Sequence, residues 1–147
     1  MSFRITRHSD ASWQGSVSEG GGQIELGSGA FKGPYSLRTR TTEVERASNP
    51  EELIAAAEAG CFTMSLANTL TEAGHPPQDL RTTANVRLEQ QENGFSITRI
   101  ELRTVGDVQG ISQEQFADLA AEAERTCPVS RALAGTEITV QATLAGT

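Results

Sequence analysis

The sequence has little positive charge, few aromatic residues and no long uninterrupted apolar run. Lys and Arg number 12 against 19 Asp and Glu, so the 147-residue chain carries a net charge of −7 at pH 7. This acidity disfavours nucleic acid or an anionic membrane as a partner. No apolar run approaches the roughly 20 residues that span a bilayer, and the N-terminus lacks the apolar core of a signal peptide. We expect one soluble, cytoplasmic domain over 1–147.

Cysteine and histidine are also scarce, with two residues of each. Neither His8 nor His75 lies at zinc-ligand spacing from a cysteine, so no metal site is predicted. In a reducing cytosol, Cys61 and Cys127 would rarely form a permanent disulfide. Two readings of these cysteines stay open at this point: buried thiols that pack as small apolar groups, and a redox pair.

The first 45 residues have the alternation and the turn residues of a three-stranded β-meander. Extended chain is predicted at 3–7, continuing through Trp13 and Val17, and at 23–26 after a run of three glycines. A third strand is predicted over 35–42, where the odd-numbered residues share one face.

A long central helix is predicted over 50–72. Asn49 is a suitable N-cap, Pro50 suits the first helical position, and Glu52 has the spacing of a capping box with Asn49. The segment 53–70 is apolar nearly all round, so we expect the helix to be buried on most sides. A chain of this size has few other elements to cover such a helix, which predicts a homodimer in which two of these helices pack together.

Residues 80–145 have the pattern of a hairpin, two helices and a last strand. Asn93 and Gly94 form a hairpin turn signal. Ile97 and Ile100 have opposite parity, which predicts a β-bulge near residues 98–99.

The helical part of this region begins at Ser112, which has capping-box spacing to Gln115. Pro128 is suited to open a further short helix, which places Cys127 at its N-cap, where free backbone N–H groups favour a thiolate. The last strand is predicted over 138–144. The fold class is therefore α+β, in the order βββ-α-ββ-αα-β.

Two segments resemble the signature motifs of the OsmC/Ohr family, the osmotically inducible and organic-hydroperoxide-resistance proteins. One is 49–62, Asn-Pro-Glu-Glu-Leu-Ile-Ala-Ala-Ala-Glu-Ala-Gly-Cys-Phe, and the other is 127–130, Cys-Pro-Val-Ser. Pro34 and Tyr35, followed by Thr39 and Arg40, resemble the OsmC branch of the family, in which an arginine follows the third strand. The resemblance implies an OsmC/Ohr-like fold and an intertwined homodimer whose active sites are shared between subunits.

The family resemblance also implies a thiol-dependent peroxidase with four functional residues. Cys61 matches the peroxidatic cysteine and Cys127 the resolving cysteine. Arg40 matches the arginine near the reactive thiol, with Arg38 as a competing candidate, and Glu51 matches the carboxylate that orients that arginine. Oxidation of Cys61 to a sulfenic acid and its condensation with Cys127 to a disulfide are implied.

The same resemblance implies no bound cofactor, an external dithiol reductant of the lipoyl type, and organic hydroperoxides as substrates in preference to hydrogen peroxide. The side chains that could wall an apolar substrate pocket are Phe31, Tyr35, Phe62 and Met64, although core packing explains them about as well.

Helix geometry constrains where Glu51 acts. It precedes Cys61 by ten residues, about 15 Å along a straight helix. Glu51 therefore cannot touch the Cys61 of its own helix, and a role at the thiol requires the thiol of a second subunit.

Two other functions are weighed against the peroxidase. A non-catalytic redox sensor or stress-induced binding protein on the same fold is the main alternative, and the presence of both cysteines counts against it. A hydrolase built on Ser65 or Ser130 with His75 has little support, because nothing near His75 in the sequence orients it.

Overall fold

The computed structural model describes residues 2–146, and the chain divides into two compact units that meet in sequence at Pro50 and Glu51. The first unit is an antiparallel three-stranded sheet followed by a short helix: β1 (Ser9–Gln14), β2 (Gly21–Leu26), β3 (Lys32–Tyr35) and α1 (Leu37–Thr41). The prediction that 1–147 forms a single domain stays a prediction.

The second unit contains a long helix, a hairpin, two further helices and a last strand. The elements are α2 (Pro50–Glu72), β4 (Asp79–Gln91), β5 (Gly94–Asp107), α3 (Gln113–Thr126), α4 (Pro128–Ala132) and β6 (Glu137–Leu144). Strand β5 lies in the middle of this sheet, antiparallel to β4 and parallel to β6. The α+β class is confirmed, with one helix more than the predicted order.

The three-stranded meander is confirmed, but its first strand begins later than predicted. Ser9 pairs with Leu26, the last residue of β2, so the ladder stops there and 3–7 lies outside it. Phe3 and Ile5 are exposed, as their position outside the sheet requires. Val17 lies in the turn between β1 and β2.

The extra helix is α1, which occupies the segment predicted as the end of a third strand. Strand β3 ends at Tyr35, and Ser36 caps the helix that follows. The Ser36 side chain accepts a hydrogen bond from the backbone N–H of Thr39, and Thr39 Oγ1 accepts one from the N–H of Ser36. These side-chain hydrogen bonds satisfy the backbone locally, so the alternating pattern of 35–42 forms a helix instead of a strand.

Helix α2 has the predicted bounds and ends as expected. Gly74 has a φ of +87°, and the N–H groups of Gly74 and His75 donate to the carbonyls of Thr71 and Leu70. This is the Schellman arrangement, in which a glycine in the left-handed region closes a helix.

Within one chain, α2 is buried on one side only, and its burial in the predicted homodimer stays a prediction. One stripe of the helix is buried, at Glu51, Glu58, Phe62, Leu66 and Leu70. The face turned away from that stripe is exposed, because the second unit packs on one side of the helix only. The exposed face includes Ala56, Ala57, Gly60 and Met64.

Among residues 2–146, α2 is also the one helix long and apolar enough to cross a membrane by length and composition alone. Its most apolar 18-residue window has a mean hydropathy of 1.2, and a single helix of this kind is weak evidence for a membrane span. The core helix of a soluble protein passes the same test, and Glu58 on the buried stripe is a costly residue in a bilayer.

The predicted irregularity in the hairpin is confirmed. Arg87 pairs with Arg99 and the next residue, Leu88, pairs with Ile97, so Thr98 is the extra residue of a bulge. The capping box that opens α3 is confirmed too, with Ser112 and Gln115 as its two members.

The core of the second unit lies between α2, α3 and the inner face of the sheet. Hydrogen bonds link Thr63 Oγ1 of α2 to Thr82 Oγ1 of β4 (2.8 Å) and Thr82 Oγ1 to Thr104 Oγ1 of β5 (3.0 Å). This hydroxyl chain fixes the height of α2 above the sheet. The buried cluster around it consists of Phe62, Leu66, Leu70, Leu102, Val108, Phe116, Ala120, Ala123, Cys127 and Leu144.

At Gly106 of β5, the Phe116 side chain of helix α3 packs directly against the backbone of the sheet. A Cβ at this position would lie 2.5 Å from Cζ of Phe116, which is fully buried, and 3.0 Å from Cδ2 of Leu80. We expect Gly106→Ala to lower the free energy of unfolding by about 1–3 kcal/mol, measured by urea denaturation. The control is Gly135→Ala, where a Cβ meets nothing within 4 Å and the change should stay within about 0.5 kcal/mol. Equal effects of the two substitutions would contradict the close approach.

Candidate functional site: two thiols between α2 and α4

Two free thiols from distant parts of the sequence meet in the second unit. Cys61 lies in the middle of α2 and is half-buried, and Cys127 is fully buried at the N-cap of α4. The Cys127 side chain lies close enough to Cys61 to raise the pKa of its thiol. Of the two readings that the sequence leaves open, this contact favours a redox pair, since disulfide formation requires two sulfur atoms in direct reach.

The bend between α3 and α4 positions Cys127. Its backbone is extended (φ −65°, ψ 121°), and its N–H closes α3 by donating to the carbonyl of Ala123. Pro128 then takes the first position of α4, as predicted, where its missing N–H costs nothing. The backbone N–H of the next residue, Val129, lies close enough to Cys61 to lower the pKa of its thiol.

The acidity of Cys61 is set by opposing effects. Burial raises the pKa of its thiol, because the thiolate is poorly solvated there, and the nearby Cys127 side chain raises it further. The N–H of Val129 acts in the opposite direction by stabilising the thiolate, and the negative charge of Glu58 disfavours it. Within its own unit Cys61 is therefore a weak acid, and a reactive thiolate at neutral pH requires an additional positive charge.

A buried carboxyl group lies one helical turn before Cys61. Glu58 is fully buried, and its Oε1 accepts a hydrogen bond from Ser130 Oγ of α4. Its other oxygen, Oε2, is buried and accepts no hydrogen bond within residues 2–146. Burial raises the pKa of this carboxyl; the Ser130 hydrogen bond opposes the rise, and the charge of Glu124 adds to it.

This raised pKa gives a pH-dependent stability prediction for Glu58→Gln. A carboxyl whose folded-state pKa lies above its unfolded-state pKa costs stability as pH rises through that interval, and the cost stays at higher pH. Glutamine never ionises. The Tm of Glu58→Gln minus that of the unmodified protein should therefore be more positive at pH 7.5 than at pH 4, as measured by scanning calorimetry. A difference that does not change with pH would show that Glu58 titrates alike in both states.

In the first unit, the predicted arginine lies on α1. Arg40 lines an apolar cavity of about 190 Å³ together with Trp13, Tyr35 and Leu37. Arg38 does not line this cavity, because two positions on a helix are about 200° apart. On the predicted strand, Arg38 and Arg40 would lie on the same face. On the observed helix they lie on different faces, so only Arg40 lines the cavity.

The remaining predicted residues lie in different surroundings. Glu51 is buried in the first turn of α2. Phe62 is fully buried in the core and Met64 is 76% exposed, so these two point to different sides of α2. The prediction that they wall a substrate pocket with Tyr35 stays a prediction.

The structure does not favour the alternative chemistries. Ser130 donates its hydroxyl hydrogen to Glu58, and the backbone of His75 belongs to the C-cap of α2, so this serine has a carboxylate partner in place of the histidine of a hydrolase. Within residues 2–146, no group of three or more His, Cys, Asp or Glu side chains could hold a metal ion.

Two residues of the site were not singled out from the sequence for the contact they make: Glu58 and Val129. The signal for Glu58 was available, because it is the one acidic residue between Leu53 and Leu70 and it stands four residues before Phe62, on the stripe that is buried. Val129 acts through its backbone N–H, and its side chain carries no such signal.

The family whose sequence profile matches residues 43–143 is described as OsmC-like protein. The chain is similar to Peroxiredoxin OsmC of Escherichia coli (strain K12), with 41% identity over 130 residues that cover 88% of this chain and 90% of that protein. It is also similar to Organic hydroperoxide resistance protein OhrA of Bacillus subtilis (strain 168), with 31% identity over 98 residues that cover 65% of this chain and 67% of that protein.

Solved structures of organic hydroperoxide resistance proteins have a similar fold. A crystal structure of an organic hydroperoxide resistance protein OsmC from Legionella pneumophila superposes with a TM-score of 0.71 at 26% identity, covering 96% of this chain and 98% of that one. A crystal structure of an organic hydroperoxide resistance protein from Elizabethkingia anophelis superposes with a TM-score of 0.72 at 25% identity, covering 99% and 100%.

Proposed function

Because the chain belongs to the OsmC-like protein family, we propose that it is a cysteine-based peroxidase that reduces organic hydroperoxides, and hydrogen peroxide more weakly. Relatives named for peroxiredoxin and hydroperoxide resistance support a peroxide-related redox role. The observation that carries the mechanism is the proximity of Cys61 and Cys127, two free thiols that are distant in sequence.

The reaction proceeds in three steps. The Cys61 thiolate attacks one oxygen of the hydroperoxide; the O–O bond breaks, a sulfenic acid forms, and the alkoxide takes up a proton and leaves as an alcohol. Cys127 then attacks this sulfur, so that an S–S bond replaces the S–O bond and water leaves. An external dithiol, for which we propose a lipoyl-type carrier, reduces the disulfide by thiol exchange. None of these steps needs a bound metal or prosthetic group.

The first step requires a thiolate, and in this unit burial raises the pKa of Cys61. Arg40 is our candidate for the compensating positive charge: its guanidinium would favour the thiolate and hold the peroxide oxygens, with Glu51 orienting its planar fork.

We further propose that the working enzyme is an intertwined homodimer in the cytoplasm. Glu51 is about 15 Å from Cys61 along α2, so a shared site needs a second subunit. The exposed face of α2, with Ala56, Ala57, Gly60 and Met64, is the apolar surface that a partner helix would cover.

A thiol count on denatured protein tests the proposal. One equivalent of cumene hydroperoxide per chain should remove both thiols, and dihydrolipoamide should restore them. Cys61→Ser should consume no peroxide and keep its remaining thiol. Survival of both thiols in excess peroxide would contradict the peroxidase proposal. The cysteines would then belong to a redox sensor that needs a partner, or would only pack in the core.

A further inference from the structure

The site contains a group that the peroxidase mechanism does not use: the buried carboxyl of Glu58. Resting on the proposed function, we propose that Glu58 is a positioning residue for disulfide formation, holding Ser130 and with it the first turn of α4, so that Cys127 stays against Cys61.

The first observation behind this proposal is that burying the Glu58 carboxyl costs folding stability. Glu58 is 0% exposed and belongs to the stripe of α2 that faces the core. An ionisable side chain at such a position is destabilising unless it is paired, and one of its two oxygens accepts no hydrogen bond from any residue in the described range 2–146. An apolar side chain would pack at this position at a lower cost in stability, so packing alone does not explain the carboxyl.

The second observation is what Glu58 holds. Its partner Ser130 is fully enclosed as well, at 2% exposure, and is the third residue of α4. The same turn contains Cys127 at the N-cap and Val129, whose N–H reaches Cys61. The N–H of Arg131 donates to the carbonyl of Cys127 (2.9 Å) and closes the turn. Fixing Ser130 therefore fixes both groups that contact the Cys61 sulfur.

The third observation is that both ends of this clamp flank the reacting sulfurs. Glu58 lies three residues before Cys61, on the adjacent turn of one helix, and Ser130 lies three residues after Cys127. The contact thus joins the two elements that carry the thiols, one turn away from the thiols themselves. It would keep them together after Cys61 has become a sulfenic acid.

The step that depends on this clamp is the condensation. The sulfur of Cys127 forms a bond to the sulfur of Cys61, the S–O bond breaks, and the hydroxyl leaves as water with the thiol proton of Cys127. The hydroperoxide supplied the oxidising equivalent in the preceding step. Orientation is what the protein contributes here, and a displacement of about 1 Å can slow such a step up to a hundredfold.

The test is a single-turnover experiment on the full chain. Reduced protein is mixed with one equivalent of cumene hydroperoxide, quenched at intervals with dimedone, and analysed by mass spectrometry for sulfenic acid and disulfide. Glu58→Ala and Ser130→Ala should slow the condensation at least about tenfold and accumulate dimedone-labelled Cys61, while sulfenic acid formation changes by less than about threefold. Glu58→Gln keeps an oxygen for Ser130 and should bring the condensation back to within about threefold of the unmodified rate.

A neighbouring carboxylate gives the matched control. Glu124 of α3 acts on Glu58 by charge alone, so Glu124→Ala should condense at the unmodified rate. If Glu58→Ala fails to fold, Ser130→Ala and Glu58→Gln still decide the matter. Wild-type condensation rates in Ser130→Ala would overturn the positioning role. Absence of any sulfenic acid or disulfide in the unmodified protein would instead overturn the proposed peroxidase.

Discussion

Cys127→Ser is expected to reduce one equivalent of hydroperoxide per chain rapidly and then to sustain no catalytic turnover. Cys61 can still be oxidised in this variant, but no second thiol is in reach of its sulfenic acid, because the contact to residue 127 has lost its sulfur. Steady-state turnover with a dithiol reductant should fall to the background of Cys61→Ser. Further peroxide should drive Cys61 to the sulfinic acid, which the reductant does not reverse.

The measurement is peroxide consumption by stopped flow, followed by mass spectrometry of the protein. A burst of one peroxide per chain and the gain of one oxygen atom on Cys61 are expected. Cys61→Ser is the control and should show neither. Sustained turnover of Cys127→Ser at the unmodified rate would show that the reductant attacks the sulfenic acid directly and that Cys127 is not the resolving thiol.

Arg40→Ala is expected to lower kcat/KM for cumene hydroperoxide by at least about a hundredfold, the usual scale for losing one charge-stabilising donor. Burial raises the pKa of Cys61, so the thiolate depends on a positive charge from elsewhere. Arg40→Lys should recover only part of the loss, since an ammonium group lacks the planar fork of a guanidinium.

Arg38→Ala is the matched control for this prediction. Arg38 has the same charge, lies two residues away on the same short helix, and does not line the cavity that Arg40 lines with Tyr35. Its removal should change kcat/KM by less than about threefold, a surface charge having little effect. The reverse pattern, in which Arg38→Ala is inactive and Arg40→Ala is active, would transfer the role to Arg38.

The sequence predicted best those elements whose determinants are local. The bounds of α2 follow from Pro50 at its start and Gly74 after its end, and the bulge at Thr98 follows from the parity of two neighbouring segments. Each of these signals lies within a few residues of the feature it specifies, so no tertiary information is needed to interpret it.

The helix α1 shows where such reasoning went wrong. The segment 35–42 alternates as a strand would, and the competing signal was the Ser36–Thr39 capping box. Both signals are local. The hydrogen bonds that the Ser36 and Thr39 hydroxyls accept from backbone N–H groups outweighed the strand-like alternation of side chains. The consequence reaches the candidate site, because the helix separates Arg38 from Arg40.

Contacts between residues that are far apart in the chain could not be predicted from the sequence. Glu58 and Ser130 are 72 positions apart, and each has an ordinary explanation when considered alone, as a polar residue on a helix and as part of a cysteine motif. Their pairing depends on how α4 packs on α2. The meeting of Cys61 with Cys127 was implied by family resemblance and is visible only once α3 has brought the second thiol back.

In the proposed mechanism, the thiol contact between α2 and α4 would also change the topology of the chain in each catalytic cycle. A bond between Cys61 and Cys127 would close a ring that contains β4, β5 and α3, 66 positions along the backbone. Closing a ring of that size removes conformational freedom from the unfolded chain worth about 4 kcal/mol. The oxidised protein would thus resist heat and proteases better than the reduced one, and the form awaiting its reductant would be the more durable of the two.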